Sequence, residues 1–247
     1  MWNLPGPVIL DLNTQRDLLG AEGAYPVFQA EKLIEPLKTL FSFAQKQTIP
    51  VISTRLHHVV PPITSGGPSS QRNNGKPICT PNTPGYSKIS ATTLRRRTEW
   101  QLDCDTSLPV EGFRDSQQFV FDLPSLNLFE CPRLDRLLSE MTAEVFVLVG
   151  APLEHTVRTA VLGLLARRHK VAVVSDCLGM WDPYEGDMAL RQIESKNILW
   201  LTAKEATEKF APVTRRSLRA DRTKARTAPA PAHKPVPNKT PRGAFRI

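Results

Sequence analysis

Cysteine is scarce in this chain: there are four, Cys79, Cys104, Cys131 and Cys177, and no two are spaced as C-x-x-C. Scattered cysteines give no disulfide framework and point to reduced thiols in a cytoplasmic setting. Long apolar runs are missing as well. No stretch approaches the roughly 18 residues that a membrane span requires, and the first strand pattern begins too close to Met1 for a signal peptide. No Gly-x-Gly-x-x-Gly follows the first strand, which weakens a dinucleotide-binding reading, and the P-loop signature is absent. There is no internal repeat.

Basic residues are present in excess but are not spread evenly. Between Thr214 and Ile247 stand ten Lys or Arg against the single acid Asp221, a net +9, which leaves −1 for the rest of a chain whose formal charge is +8. The body is therefore nearly neutral. The 214–247 tail combines Pro, Ala, Thr, Lys and Arg with almost nothing apolar to bury, and is expected to be disordered. Its cations suit screened, sequence-independent contact with nucleic acid or another acidic surface. Phe245 is its one aromatic, so base stacking is not expected. Pro61–Lys76 is turn-rich and polar and reads as a long surface loop.

Within residues 1–213 six apolar, β-branched runs have the length of buried strands: Pro7–Leu12, Pro50–Thr54, Gln118–Asp122, Glu144–Gly150, Lys170–Asp176 and Asn197–Thr202. They are continuous rather than alternating, as strands covered on both faces are. Helical stripes fall between them at Glu35–Gln47 (with Pro36 suited to a first turn), Pro132–Met141 and Glu154–His169. Strand alternating with helix predicts a three-layer α/β/α domain with a doubly wound, mostly parallel six-stranded sheet of Rossmann-like architecture.

Ligands of such sheets collect at the carboxyl ends of the strands. The first strand ends Leu10-Asp11-Leu12-Asn13, the third Phe121-Asp122-Leu123-Pro124, the fifth Ser175-Asp176-Cys177. The fourth runs Val145–Gly150 and turns through Ala151-Pro152 into a helix near Glu154. These stretches resemble the isochorismatase-like cysteine hydrolases, a superfamily that includes nicotinamidases and carbamoylases. The first strand is similar to the family's opening, an apolar run closing in Asp, a polar pair and Gln. Val147–Val157 resembles its strand, glycine and nucleophile helix, Arg168–Asp176 its next helix end and strand, and Cys79–Ile89 a Gly-Thr-x-Gly loop.

The resemblance implies an Asp–Lys–Cys triad, with the cysteine at a helix N-terminus that favours thiolate and oxyanion. The Asp falls on Asp11. The Lys position, six before the Phe that opens the following helix (Phe129), is occupied by Leu123. The Cys position, six past Gly150, is occupied by Thr156. A thiol ionises near pH ~8.5, whereas an aliphatic hydroxyl needs a strong, well-placed base. With Leu123 uncharged, Asp11 is expected to lack a cationic partner and the family mechanism to fail. The backbone of Gly150, Ala151 and Pro152 is expected to keep the pocket's shape, including the cis bond that the family places before its nucleophile helix and that an X-Pro bond adopts readily.

Other residues near this edge have a functional and a plainer reading. Cys177 and Cys131 are candidate nucleophiles or buried structural thiols. His155 is a candidate base or a helix-surface histidine. Asp122 reads as a solvated strand-end carboxylate, and Lys88 and Arg55 as loop cations in solvent. The Asp-x-His by which some relatives bind a divalent metal corresponds to Leu56-His57-His58, which lacks the Asp, so no metal and no cofactor is expected. The sequence thus predicts a degenerate hydrolase scaffold, acting as a binding or assembly module, with a small-molecule ligand in its vestigial pocket and homo-oligomers as the resemblance implies. The alternative is an active hydrolase of an amide or related small molecule through a rearranged site.

Overall fold

The structure is a computed structural model that describes residues 2–62, 75–102, 105–108 and 115–212. The expected disordered tail and most of the long surface loop lie outside the described residues. One compact unit spans Met1–Ala211.

Seven parallel strands form one sheet: β1 (Trp2–Leu12), β2 (Val51–Leu56), β3 (Arg97–Trp100), β4 (Gln118–Leu123), β5 (Met141–Gly150), β6 (Val171–Leu178) and β7 (Leu199–Leu201), in the order β3-β4-β2-β1-β5-β6-β7. The helices are α1 (Arg16–Leu19), α2 (Glu31–Gln47), α3 (Pro132–Glu140), α4 (Arg158–Ala166), α5 (Pro183–Glu194) and α6 (Ala203–Lys209). The order reverses at β1, whose two neighbours β2 and β5 place their carboxyl ends beside Asp11: Asp11 is level with Ser53 on one side and Val149 on the other.

The doubly wound α/β architecture is as the apolar runs predict, with one strand more. The additional strand is β3, whose Arg97-Thr98-Glu99-Trp100 is short, charged and half-exposed. It lacks the apolar run because it is a sheet edge, where charged side chains discourage further pairing. Two helix expectations also shift. Helix α2 begins four residues earlier, so Pro36 lies inside it rather than in its first turn. The segment after β5 starts as a π-helical turn, Leu153–Val157, and becomes α-helical only at Arg158.

The core fills both faces of the sheet. Val8, Leu10, Leu12, Phe119, Phe121, Phe146, Leu148 and Val173 are buried, covered by Leu37, Leu40 and Phe41 of α2 and by Val161 and Leu164 of α4. Gly150 is required where β5 ends: its φ is +114°, and a Cβ there would lie 2.0 Å from the Leu12 carbonyl oxygen. Absence of a side chain lets the ends of β1 and β5 meet.

Candidate functional site

After β2 the chain returns over the carboxyl edge as a strap, residues 77–94. Two side chains and one backbone carbonyl fix its course. Asp17 accepts from the backbone N–H of Cys79 (2.6 Å) and Ala24 (3.1 Å). Gln15 donates to the carbonyls of Leu56 (3.0 Å) and Tyr86 (2.9 Å) and accepts from Leu56 N–H (2.6 Å). Thr14 offers its carbonyl to Ile89 N–H at 3.0 Å. A bridge between Gln15 and Lys88 then sets Lys88 above the end of β1.

Lys88 is not a solvated loop lysine. Its Nζ is 2.7 Å from Asp11 Oδ2 and donates to Thr14 Oγ1 at 2.7 Å, with only 5% of the side chain exposed. Burial pushes its ammonium below the ordinary range, and Asp11 opposes that shift. The expectation that Asp11 lacks a cation because position 123 is Leu is therefore overturned: the strap delivers one from a different part of the chain. Leu123 is fully buried in the core.

Asp11 receives two further hydrogen bonds, from Thr14 Oγ1 (2.8 Å) and Ser53 Oγ (2.6 Å). Ser53 accepts from Gln118 (2.8 Å), and Thr14 shares a 2.7 Å hydrogen bond with Thr92. All of these side chains are buried. Satisfied polar groups of this kind hold a network rigid.

Thr156 is in the π-helical turn and fully buried. Its Oγ1 accepts from Asn13 Nδ2 at 3.1 Å, and the same amide donates to Ala151 O at 3.1 Å. Asn13 is held in turn by Thr54 (2.6 Å), with a left-handed backbone of φ 52°. Among the described residues no hydrogen bond joins Thr156 to Asp11, Lys88 or a histidine. The Ala151–Pro152 bond is cis, as expected. Neither of the nearby amides is free: Ala151 N–H donates to Leu12 O (2.8 Å) and Leu153 N–H to Gly179 O (2.7 Å).

The other candidates are placed as follows. Cys177 is buried and free, its thiol pushed far up by burial, Asp176 and Asp11, so it is a poor nucleophile. Cys131 is buried at the head of α3. His155 is a half-buried side chain rather than a surface one; its Nε2 has no hydrogen-bond partner among the described residues, and its ring tilts against Trp181. Burial, with Arg158, lowers its pKa. The preceding Glu154 accepts from Trp181 and Asp182 N–H through Oε1, Oε2 has no partner among the described residues, and burial raises its pKa.

Asp122 is not solvated either. It is fully buried, accepts from Arg55 Nε (2.7 Å) and from the Tyr86 hydroxyl, and has His57 Nδ1 3.5 Å away. Arg55 lies over the Tyr86 ring (4.3 Å) and reaches Glu99 (2.9 Å). Sequence reasoning missed this cluster and the hydroxyls around Asp11; the polar pair Ser53-Thr54 inside an apolar strand was the available signal. The residues do not fit a divalent cation: Leu56 is apolar, His58 turns to Thr80 (3.1 Å), and no group of three His, Cys, Asp or Glu among the described residues could hold a metal ion. A cavity of about 860 Å3 opens elsewhere, between α1 with its following loop and the strap, and neither Asp11, Lys88 nor Thr156 lines it.

A parallel α/β sheet with an aspartate at the end of its first strand, a cis peptide after β5 and a helical turn beyond it defines an open α/β scaffold with its candidate site at the carboxyl edge. The isochorismatase domain family matches residues 7–206, and the chain belongs to that family. A search of curated proteins finds no match. Solved structures similar in fold include the nicotinamidase/pyrazinamidase PncA of Bacillus subtilis (11% identity, TM-score 0.60, covering 79% of this chain and 99% of that one). An isochorismatase-like hydrolase of Alkaliphilus metalliredigens is similar at 16% identity and TM-score 0.59, covering 83% and 97%. The MAR1 ribonuclease of Caenorhabditis elegans is similar at 14% identity and TM-score 0.56, covering 96% and 98%. At these identities the likeness is one of fold. No helix among the described residues is long and apolar enough to cross a membrane.

Proposed function

We propose that this chain is an isochorismatase-fold protein that has stopped hydrolysing and serves as a binding or assembly module in the cytoplasm. The observation behind the reading is the setting of Thr156. Its hydroxyl is occupied by a donor, Asn13 Nδ2, and among the described residues no base touches it. The Asn13 amide NH2 is a donor and not a base, so no group in contact with the hydroxyl takes its proton to form the attacking alkoxide. The alternative, hydrolysis through Cys177, is opposed by a thiol that burial and two carboxylates keep protonated.

A panel of amides that includes nicotinamide and N-carbamoyl compounds tests the proposal. Turnover is expected to equal the buffer blank. Turnover that disappears in Asp11→Ala overturns it and restores an enzyme.

Ligand and self-association belong to the same proposal. A small molecule would enter at the carboxyl edge, and a second copy of the chain would pack on an exposed face. The i, i+4 pair Tyr184 and Met188 on α5, 76% and 52% exposed, is apolar surface available for that contact. The basic 214–247 segment is proposed to contact nucleic acid through phosphates. Full-length protein should lose duplex DNA steeply with salt, and replacing Arg215, Arg216, Arg219 and Arg222 by Gln should flatten that slope. Unchanged affinity would remove the segment from the reading.

A further inference from the structure

Strand β3 closes the sheet on one side and pairs only with β4. Gln118 N–H donates to Arg96 O at 3.1 Å, and Arg97 is level with Gln118. Parallel pairing uses alternate residues, so Thr98 turns its backbone to β4 while Arg97 and Glu99 turn theirs to the open side. Among the described residues no other segment donates to those groups or accepts from them. An open row of N–H and C=O groups is a template for one more strand.

The side chains select what can dock. Arg95, Arg96 and Arg97 are consecutive and exposed. Arg97 pairs with Glu99, which also receives Arg55. Arg95 and Arg96 have no acidic partner among the described residues. Trp100 is engaged inward: it stacks on Phe121, meets Phe119 edge-on and has Arg133 over its ring, so it is not a platform for a nucleic-acid base. A second copy of the strand would bring three more arginines against one more glutamate to the same short edge, and like charges there repel. Charges that discourage indiscriminate pairing thus favour one complement. We infer that the outer edge of β3 is a docking site for an acidic, extended peptide of a partner protein, which adds as a further strand with its carboxylates toward Arg95 and Arg96. The site is three strands from β1. It gives the binding-module reading a partner, and it does not depend on Thr156 being inactive.

The test titrates the full chain into a fluorescein-labelled heptapeptide of alternating glutamate and valine and follows anisotropy at low salt. Arg95→Gln with Arg96→Gln should weaken binding by about three- to tenfold, and Arg95→Lys with Arg96→Lys should keep it. The same peptide N-methylated at every residue retains its charge but has no N–H to donate, and should lose at least about tenfold. The basic 214–247 segment is common to all the proteins compared and meets both peptides alike. The bound heptapeptide should also slow hydrogen exchange at the N–H of Arg97 and Glu99. Equal affinity for the methylated peptide, or in the Gln variant, overturns the inference. Protection of the same two amides by an oligonucleotide of equal charge, or by a concentration-dependent dimer of the free chain, overturns it too. Amide turnover by the unmodified chain would sink the inactive reading and leave this docking site standing.

Discussion

Lys88 Nζ meets Asp11 Oδ2 at 2.7 Å across 77 residues of chain, in a position from which solvent is nearly excluded. Two hydroxyls complete the carboxylate's shell. The pair ties the strap to the central strand of the sheet.

Removing one member leaves the other buried and uncompensated. Lys88→Met is expected to cost about 3–5 kcal/mol of unfolding free energy, read from urea denaturation. Lys88→Met with Asp11→Asn should cost clearly less than the sum of the two single changes. Additive losses would show that the pair contributes nothing as a pair.

Gln15 makes three hydrogen bonds that close β1, β2 and the strap on one another. Gln15→Ala strands two carbonyls and an N–H, and should destabilise by about 2–3 kcal/mol. Hydrogen exchange offers the sharper check: amides of residues 78–92 should lose protection before those of β4 and β5.

Glu154 has a pKa raised by burial above its ordinary 4.5. Between 4.5 and the folded value the native state keeps a proton that the unfolded chain has released, so stability falls as pH rises through that window. Glu154→Gln keeps an acceptor for Trp181 and Asp182 N–H and cannot ionise. Its stability relative to wild type should therefore improve as pH climbs above 4.5. Thermal melts at pH 4 and pH 7 decide it, and a difference independent of pH refutes the assignment.

Gly150→Ala forces a Cβ against the Leu12 carbonyl at a left-handed φ. A loss of about 3 kcal/mol or more is expected, measurable as a lowered denaturation midpoint. Leu162→Ala, on α4 away from this junction, is the comparison and should cost less.

Much of this architecture was legible because its strands are buried on both faces and read as unbroken apolar runs: Val8–Leu10, Val145–Val149 and Val171–Val174 needed no tertiary information. Asp11 at the end of β1 and the cis Ala151–Pro152 bond followed from residues adjacent in sequence. Edge strand β3 did not, since Arg97 and Glu99 obey the demands of an exposed edge rather than those of a core. Lys88 was illegible for a different reason. Its burial depends on Gln15, Asp17 and Thr14 folding the strap back, and nothing in its immediate neighbours distinguishes it from a lysine in water. The same holds for Asp122, whose partners Arg55 and Tyr86 come from β2 and the strap.

The left-handed residue Asn13, the hydroxyls of Thr14 and Ser53 and the strap lysine together have a kinetic consequence. Their hydrogen bonds include Ser53 to Asp11, Lys88 to Thr14 and Asn13 to Thr156, which span 42, 74 and 143 positions of sequence. Closing such loops costs chain entropy before any bond compensates, so this cluster is among the last parts of the molecule to lock. Substitutions within it should then quicken unfolding while scarcely slowing folding, and the lifetime of the folded chain is governed at the carboxyl edge rather than in the apolar centre of the sheet.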